Sequence, residues 1–172
     1  RYELEKLIYM ATEGNPGPVL LDLPDDLQRA EINFNELDHF TPEKQKLVNE
    51  LESKIGNVLG LIEEADKPVI IVGGGVKIGH AEEEINTFIE KSEIPFATTW
   101  STIDLFLDET TNLIGNFGIS SNRAGNFAVQ NSDLIISLGS RLDTHQTGSN
   151  PACFATKAKK IAINIENEEL HK

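Results

Sequence analysis

Cysteine is almost absent from the 172 residues: a single Cys153 excludes an internal disulfide framework and fits a reducing compartment. One thiol among small residues reads as packing ahead of nucleophile. Basic charge is scarce too, with 15 Lys and Arg against 28 Asp and Glu, a net charge of -13. That field repels phosphate backbones and anionic lipid, which argues against nucleic-acid and membrane-surface binding. No apolar run approaches the roughly 18 residues of a membrane span, and no charged-then-apolar leader opens the residues at hand. The expectation is a cytoplasmic protein. The four histidines (His39, His80, His145, His171) lie far apart without metal-ligand spacing, so no zinc site is expected. Internal repeats and low-complexity segments are missing as well.

What is present is 39% hydrophobic residues in ordered runs, enough for one principal domain and an appendage. The opening "RYELEKLIYMATEG" enters helical periodicity at Leu4, Leu7, Ile8 and Ala11 without a cap, and "KIAINIENEELHK" closes on a strand and one helical turn. Both ends read as cut from a longer polypeptide. After a helix over 3–13, "PVLLDLP" is a short strand candidate closed by Pro24, and 25–40 reads as an irregular connector. A boundary is expected at about residues 30–40. Thr41 as N-cap and Pro42 at the first helical position then start a long helix, with an apolar stripe of Leu47, Leu51, Ile55, Val58, Leu59 and Ile62 ending near Ala65.

Beyond that helix, strands and helices alternate. "PVIIVGGG", "IPFATTW", "LIISLG" and "KIAINI" are apolar runs, with helices at "AEEEINTFIEKS" and near 123–131; the stretch 101–121 has no period. Continuous apolar runs imply strands buried on both faces. The fold class expected is therefore α/β, a Rossmann-like doubly wound parallel sheet with helices on both faces and 69–72, 96–98, 134–138 and 161–165 as inner strands.

Loops at the carboxyl edge of a parallel sheet open on one side, where such folds hold ligands. Gly73, Gly74 and Gly75 would let backbone N–H groups approach a phosphate, although the spacing departs from the dinucleotide fingerprint: Ile78 stands where its last glycine belongs, with Gly79 one residue late. The tip of the second strand, Thr99 and Trp100, also lacks the acid that holds a ribose, which disfavours an NAD-dependent dehydrogenase. Trp100 offers a ring to stack on, or to pack. Arg141 could clamp a phosphate or carboxylate, with Asp143 orienting it; alternatively, the two serve only each other. Only His145 among the histidines sits in a site loop.

Taken in order, "GNPGPVLLDLPDDLQ", "KPVIIVGGG", "IPFATTW", "NSDLIISLGSRLDTHQTG" and "AKKIAINIENEEL" resemble the thiamine-diphosphate-dependent enzymes of the acetolactate synthase and pyruvate oxidase type. The resemblance implies three α/β domains in the intact protein. Residues 1–32 would end the pyrimidine-binding domain, 33–40 link, and 41–172 form most of the central Rossmann-like domain. It implies thiamine diphosphate and Mg2+ held by missing N- and C-terminal domains, a homodimer or homotetramer, and an inert fragment. The intact enzyme would be a 2-keto acid decarboxylase and carboligase, a transferase. FAD or ADP would sit in the central domain on Gly73, Gly74, Gly75, Thr99, Trp100, Gly115, Asn116, Phe117, Gly118, Gly139, Arg141, Asp143, Asn164 and Ile165. Two positions depart from FAD-binding relatives: His145 replaces a second arginine, and Asn164 replaces an acid. The alternative is a stand-alone nucleotide- or flavin-binding module.

Overall fold

The computed structural model describes residues 1–43 and 51–171. The chain divides into two units, 1–49 and 50–172. In the first, α1 (Tyr2–Thr12) and α2 (Asp25–Arg29) are joined by chain without regular structure and followed by a 3-10 turn at Phe34–Glu36. An aromatic cluster holds it, with the Phe40 ring 5.6 Å from Tyr2 and 5.5 Å from Tyr9. The Phe40 N–H donates to Glu5 Oε2 at 2.8 Å. No residue among 1–43 is buried. The strand expected at 18–24 does not form: among the described residues of this unit no second strand exists to take its N–H and C=O groups, and Val19, Leu20, Leu21 and Leu23 stay exposed.

The second unit is built on five parallel strands, β1 (Pro68–Val72), β2 (Phe96–Thr98), β3 (Leu113–Asn116), β4 (Leu134–Leu138) and β5 (Lys159–Ile163), ordered β3-β2-β1-β4-β5. This is the doubly wound α/β arrangement. Alternation along each strand explains the apolar runs, since neighbours point to opposite faces. Ile70, Val72, Phe96, Leu134 and Ile136 join one core cluster, and Val69, Ile71, Ala97 and Ile135 the other.

Helices cover both faces. After α3 (Leu51–Glu64) and the short α4 (Gly75–Ile78), α5 (Glu82–Ser92) buries Ile85 and Ile89 in the first cluster; α6 (Arg123–Asn131) buries Val129 in the second. A one-turn α7 (Thr144–Thr147) follows β4. Among the described residues no helix is long and apolar enough to cross a membrane.

Several expectations change. Residues 41–43 are not helical, so the start placed at Thr41 and Pro42 is not there, and Leu47 lies outside the described residues. The stripe of α3 is only half covered, because Leu61 and Ile62 reach the core while Leu51, Ile55 and Leu59 remain exposed. A fifth strand, β3, lies inside the stretch without a period. β5 starts two residues earlier than expected and forms a sheet edge, where exposed Lys159 and Lys160 are tolerated. Cys153 is exposed, not packed.

Candidate functional site

All five strands end at one edge, and the strand order reverses between β1 and β4, the position where open α/β sheets place ligands. Here that position is filled by backbone. The Gly73 N–H donates to the Leu138 carbonyl and the Gly75 N–H to the Gly139 carbonyl, both at 2.8 Å. A Cβ on Gly73 would lie 2.5 Å from the Gly139 carbonyl oxygen and 2.5 Å from Ser140 Cα; one on Gly75 would lie 2.8 Å from Gly139 Cα. Gly139 itself has φ +62. These three glycines thus let the loops after β1 and β4 touch directly, whereas Gly74 faces only the Ser101 side chain.

Toward β2 and β3 the edge opens. Thr99 is buried, its hydroxyl 2.9 Å from that of Ser101, and its N–H donates to the Val72 carbonyl. Trp100 is 61% exposed and begins a 3-10 helix, Trp100–Leu105; its ring stacks on His145 at 5.6 Å and 25°. Gly115 (φ +115) leaves room for the Asn122 amide, and Gly118 (φ +117) for the His145 carbonyl. Asn116 Nδ2 donates to the Ser120 carbonyl at 2.9 Å, and Phe117 is buried. Trp100, Asn116, Phe117, Gly118, Asp143 and His145 line one cleft of about 10 Å³, room for a single water.

Arg141 lies elsewhere and does not pair with Asp143. Its Nε and Nη2 donate to Glu169 Oε1 at 3.1 and 2.9 Å. The hydrogen bonds and charge of Glu169, helped by Glu166 and Asp143, hold the guanidinium still further into its protonated range. Asp143 caps α7, accepting from the His145 N–H at 2.9 Å. Asn164 accepts from the Glu166 N–H and donates to the Ser140 carbonyl, and Ile165 is exposed. Among the described residues no three His, Cys, Asp or Glu side chains are grouped to hold a metal ion.

Sequence reasoning overlooked the carboxamides that fix this edge. Asn122 caps α6 through the Gly125 N–H, and the Asn126 amide both accepts from the Gly118 N–H and donates to the Gly118 carbonyl. Gln146 accepts from the Ser140 hydroxyl at 2.7 Å. Asn122, directly before the helical pattern, carried a readable N-cap signal; Asn126 and Gln146 carried none.

Residues 55–172 match the family described as thiamine pyrophosphate enzyme, central domain; thiamine pyrophosphate is another name for thiamine diphosphate. The acetolactate synthase large subunit of Corynebacterium glutamicum is 36% identical over 98% of the chain and 27% of its own length. A probable acetolactate synthase large subunit of Methanocaldococcus jannaschii is 36% identical over 95% of the chain and 28% of its own length. The chloroplastic acetolactate synthase of Arabidopsis thaliana is 32% identical over 98% and 25%. The chain therefore spans about a quarter of the length of these relatives. Its parallel sheet in the order β3-β2-β1-β4-β5, together with a family match across more than half of its residues, places the chain in the thiamine pyrophosphate enzyme family, as a central domain.

Proposed function

We propose that this chain is the middle part of a longer thiamine-diphosphate-dependent enzyme that decarboxylates a 2-keto acid and transfers the remaining acyl unit to an acceptor, in the manner of an acetolactate synthase. The observation that carries this reading is the similarity to acetolactate synthases along 95–98% of the chain, across both units. Thiamine diphosphate, when bound, supplies the nucleophilic carbon for that chemistry. The described residues offer no carboxylate cluster for the Mg2+ that would anchor a diphosphate, so both are assigned to other parts of the polypeptide. In this reading residues 1–32 close a preceding domain, 33–40 link, and 41–172 form the central domain. The chain's own contribution is a rigid spacer, inert alone, within a homodimer or homotetramer.

A nucleotide at the carboxyl edge, FAD or ADP, belongs to the same proposal, but the edge fits it at one end only. Exposed Trp100, Ile119 and Ile165 offer surface to a planar ring. The phosphate end is poorly served. Arg141 is engaged by Glu169 with Glu166 and Asp143 nearby, and the Gly73 and Gly75 amides face the loop after β4. Binding a pyrophosphate requires Arg141 to leave Glu169, and no catalytic step is assigned to the nucleotide. The test is acetolactate formation from pyruvate by the longer polypeptide. Product that depends on thiamine diphosphate and Mg2+ supports the proposal; no carbon dioxide release from pyruvate or other short 2-keto acids refutes it.

A further inference from the structure

At the carboxyl edge, on the side of β3 and β4, α6 and the 144–148 segment line an open groove of about 800 Å³, within the size range of small-molecule sites. Its lining is unusual for this chain. Among the described residues no acid lines it, while Arg123 and His145 do. Arg1, Arg29 and Arg141 each hold a carboxylate (Glu5, Asp25 and Glu169), whereas Arg123 has no partner among the described residues.

The fold gains nothing from that cation. Arg123 is the first residue of α6, where the helix dipole disfavours positive charge, and no acid occupies the first turn to offset it. Beside it, Phe127 is 72% and Ile119 75% exposed, two large apolar side chains left facing the same groove. The carboxamides there are already committed: Gln130 bridges the Cys153 carbonyl and the Ala155 N–H, and Asn126 holds Gly118. An unpaired guanidinium and an uncovered apolar wall therefore remain to receive a ligand. In a protein of net charge -13, a groove free of acids is where an anion meets least repulsion.

We propose that this groove binds a small organic anion with an apolar body, its carboxylate or phosphate on Arg123 and its body across Ile119 and Phe127. The groove shares Phe117, Gly118 and Ile119 with the nucleotide reading but takes its charge on Arg123, which that reading does not use, and its failure would leave both that reading and the keto-acid chemistry untouched.

The test is an amide-resolved NMR titration of the 172-residue chain with 4-phenylbutyrate, phenyl phosphate and the neutral 4-phenylbutanamide. The two anions separate a carboxylate from a phosphate preference. Expected are shifts confined to 117–131 and 144–154, with at least one anion binding about tenfold more tightly than the amide. Arg123→Gln removes that preference without lowering the melting temperature, since it also removes a cation from a helix start. Phe127→Ala weakens anion and amide alike. Equal affinity for anion and amide, affinity unchanged in R123Q, or no shift at about 10 mM of any probe overturns the proposal. So does displacement of the probes by ADP, which would make the groove part of a nucleotide site.

Discussion

Replacing Gly73 by alanine puts a methyl carbon 2.5 Å from the Gly139 carbonyl oxygen, Ser140 Cα and Ser140 N, all backbone atoms. Carbon contacts are comfortable at about 3.5–4.0 Å, so the overlap is roughly 1 Å on three atoms at once. The opposing loop cannot yield easily, because Gly73 and Gly75 tie it to β1 through 2.8 Å hydrogen bonds to the Leu138 and Gly139 carbonyls. Overpacking of this kind costs about 1–3 kcal/mol and occasionally more; with rigid partners about 3 kcal/mol is expected. Gly74→Ala is the internal control. Its methyl meets only the Ser101 side chain, at 3.0 Å from Oγ, and Gly74 already has the right-handed helical φ -57 and ψ -23. Alanine there also restricts the unfolded chain, a gain of about 0.4–1 kcal/mol, so a net change near zero is expected. Urea unfolding followed by circular dichroism, with equal slopes for all three proteins, measures both. Were the glycines needed only for a ligand, the two substitutions would be equally harmless without one. A Gly73→Ala protein within about 0.5 kcal/mol of Gly74→Ala would refute the loop-packing role.

Three further outcomes follow from single contacts. Ser137 Oγ on β4 is buried without a hydrogen-bond partner among the described residues, so Ser137→Ala should raise stability by about 1 kcal/mol, and a loss of that size in the same urea assay would show a missed partner. Desolvation pushes the Asp133 carboxyl up, but the Lys67 and Asp66 N–H groups, each donating at 2.9 Å, outweigh it and hold the group below its ordinary value of 3.8. A lowered carboxylate stabilises above its unfolded pKa and loses that contribution as pH falls through the folded value. Unfolding midpoints should therefore drop below about pH 4 in the parent, and less steeply in Asp133→Asn, which starts lower at pH 7; parallel profiles would contradict this. Arg141→Ala should release the 3-10 turn Asn167–His171, read as faster hydrogen exchange there with β4 unchanged; unaltered exchange would mean that Glu169 does not depend on Arg141.

The inner strands were legible because burial on both faces leaves an apolar run: Ile70 and Ile71 in β1 and Ile135 and Ile136 in β4 point into opposite clusters. β3 was not. Its four residues, LIGN, are half-buried at a sheet edge and include a glycine and an asparagine, so neither alternation nor a run survives. The segment at 18–24 has an apolar run and still forms no strand, since a strand needs a partner that the described residues of its own unit do not supply. The carboxyl edge was legible in its loops but not in its contacts. Glycines at Gly73, Gly75 and Gly139 announce a close backbone approach without saying whose backbone approaches, and here it is the chain's own. Arg141 finds Glu169 twenty-eight residues further on, a pairing made by the fold and invisible to local pattern.

Calorimetric titration of thiamine diphosphate with Mg2+ bears most directly on whether residues 41–172 are the central part of a longer enzyme. The expected result is saturable binding to the longer polypeptide, at a Kd of about 1–100 μM, and no heat of binding to the 172-residue chain alone. Saturable binding to the chain alone, or none to the longer polypeptide, would contradict it.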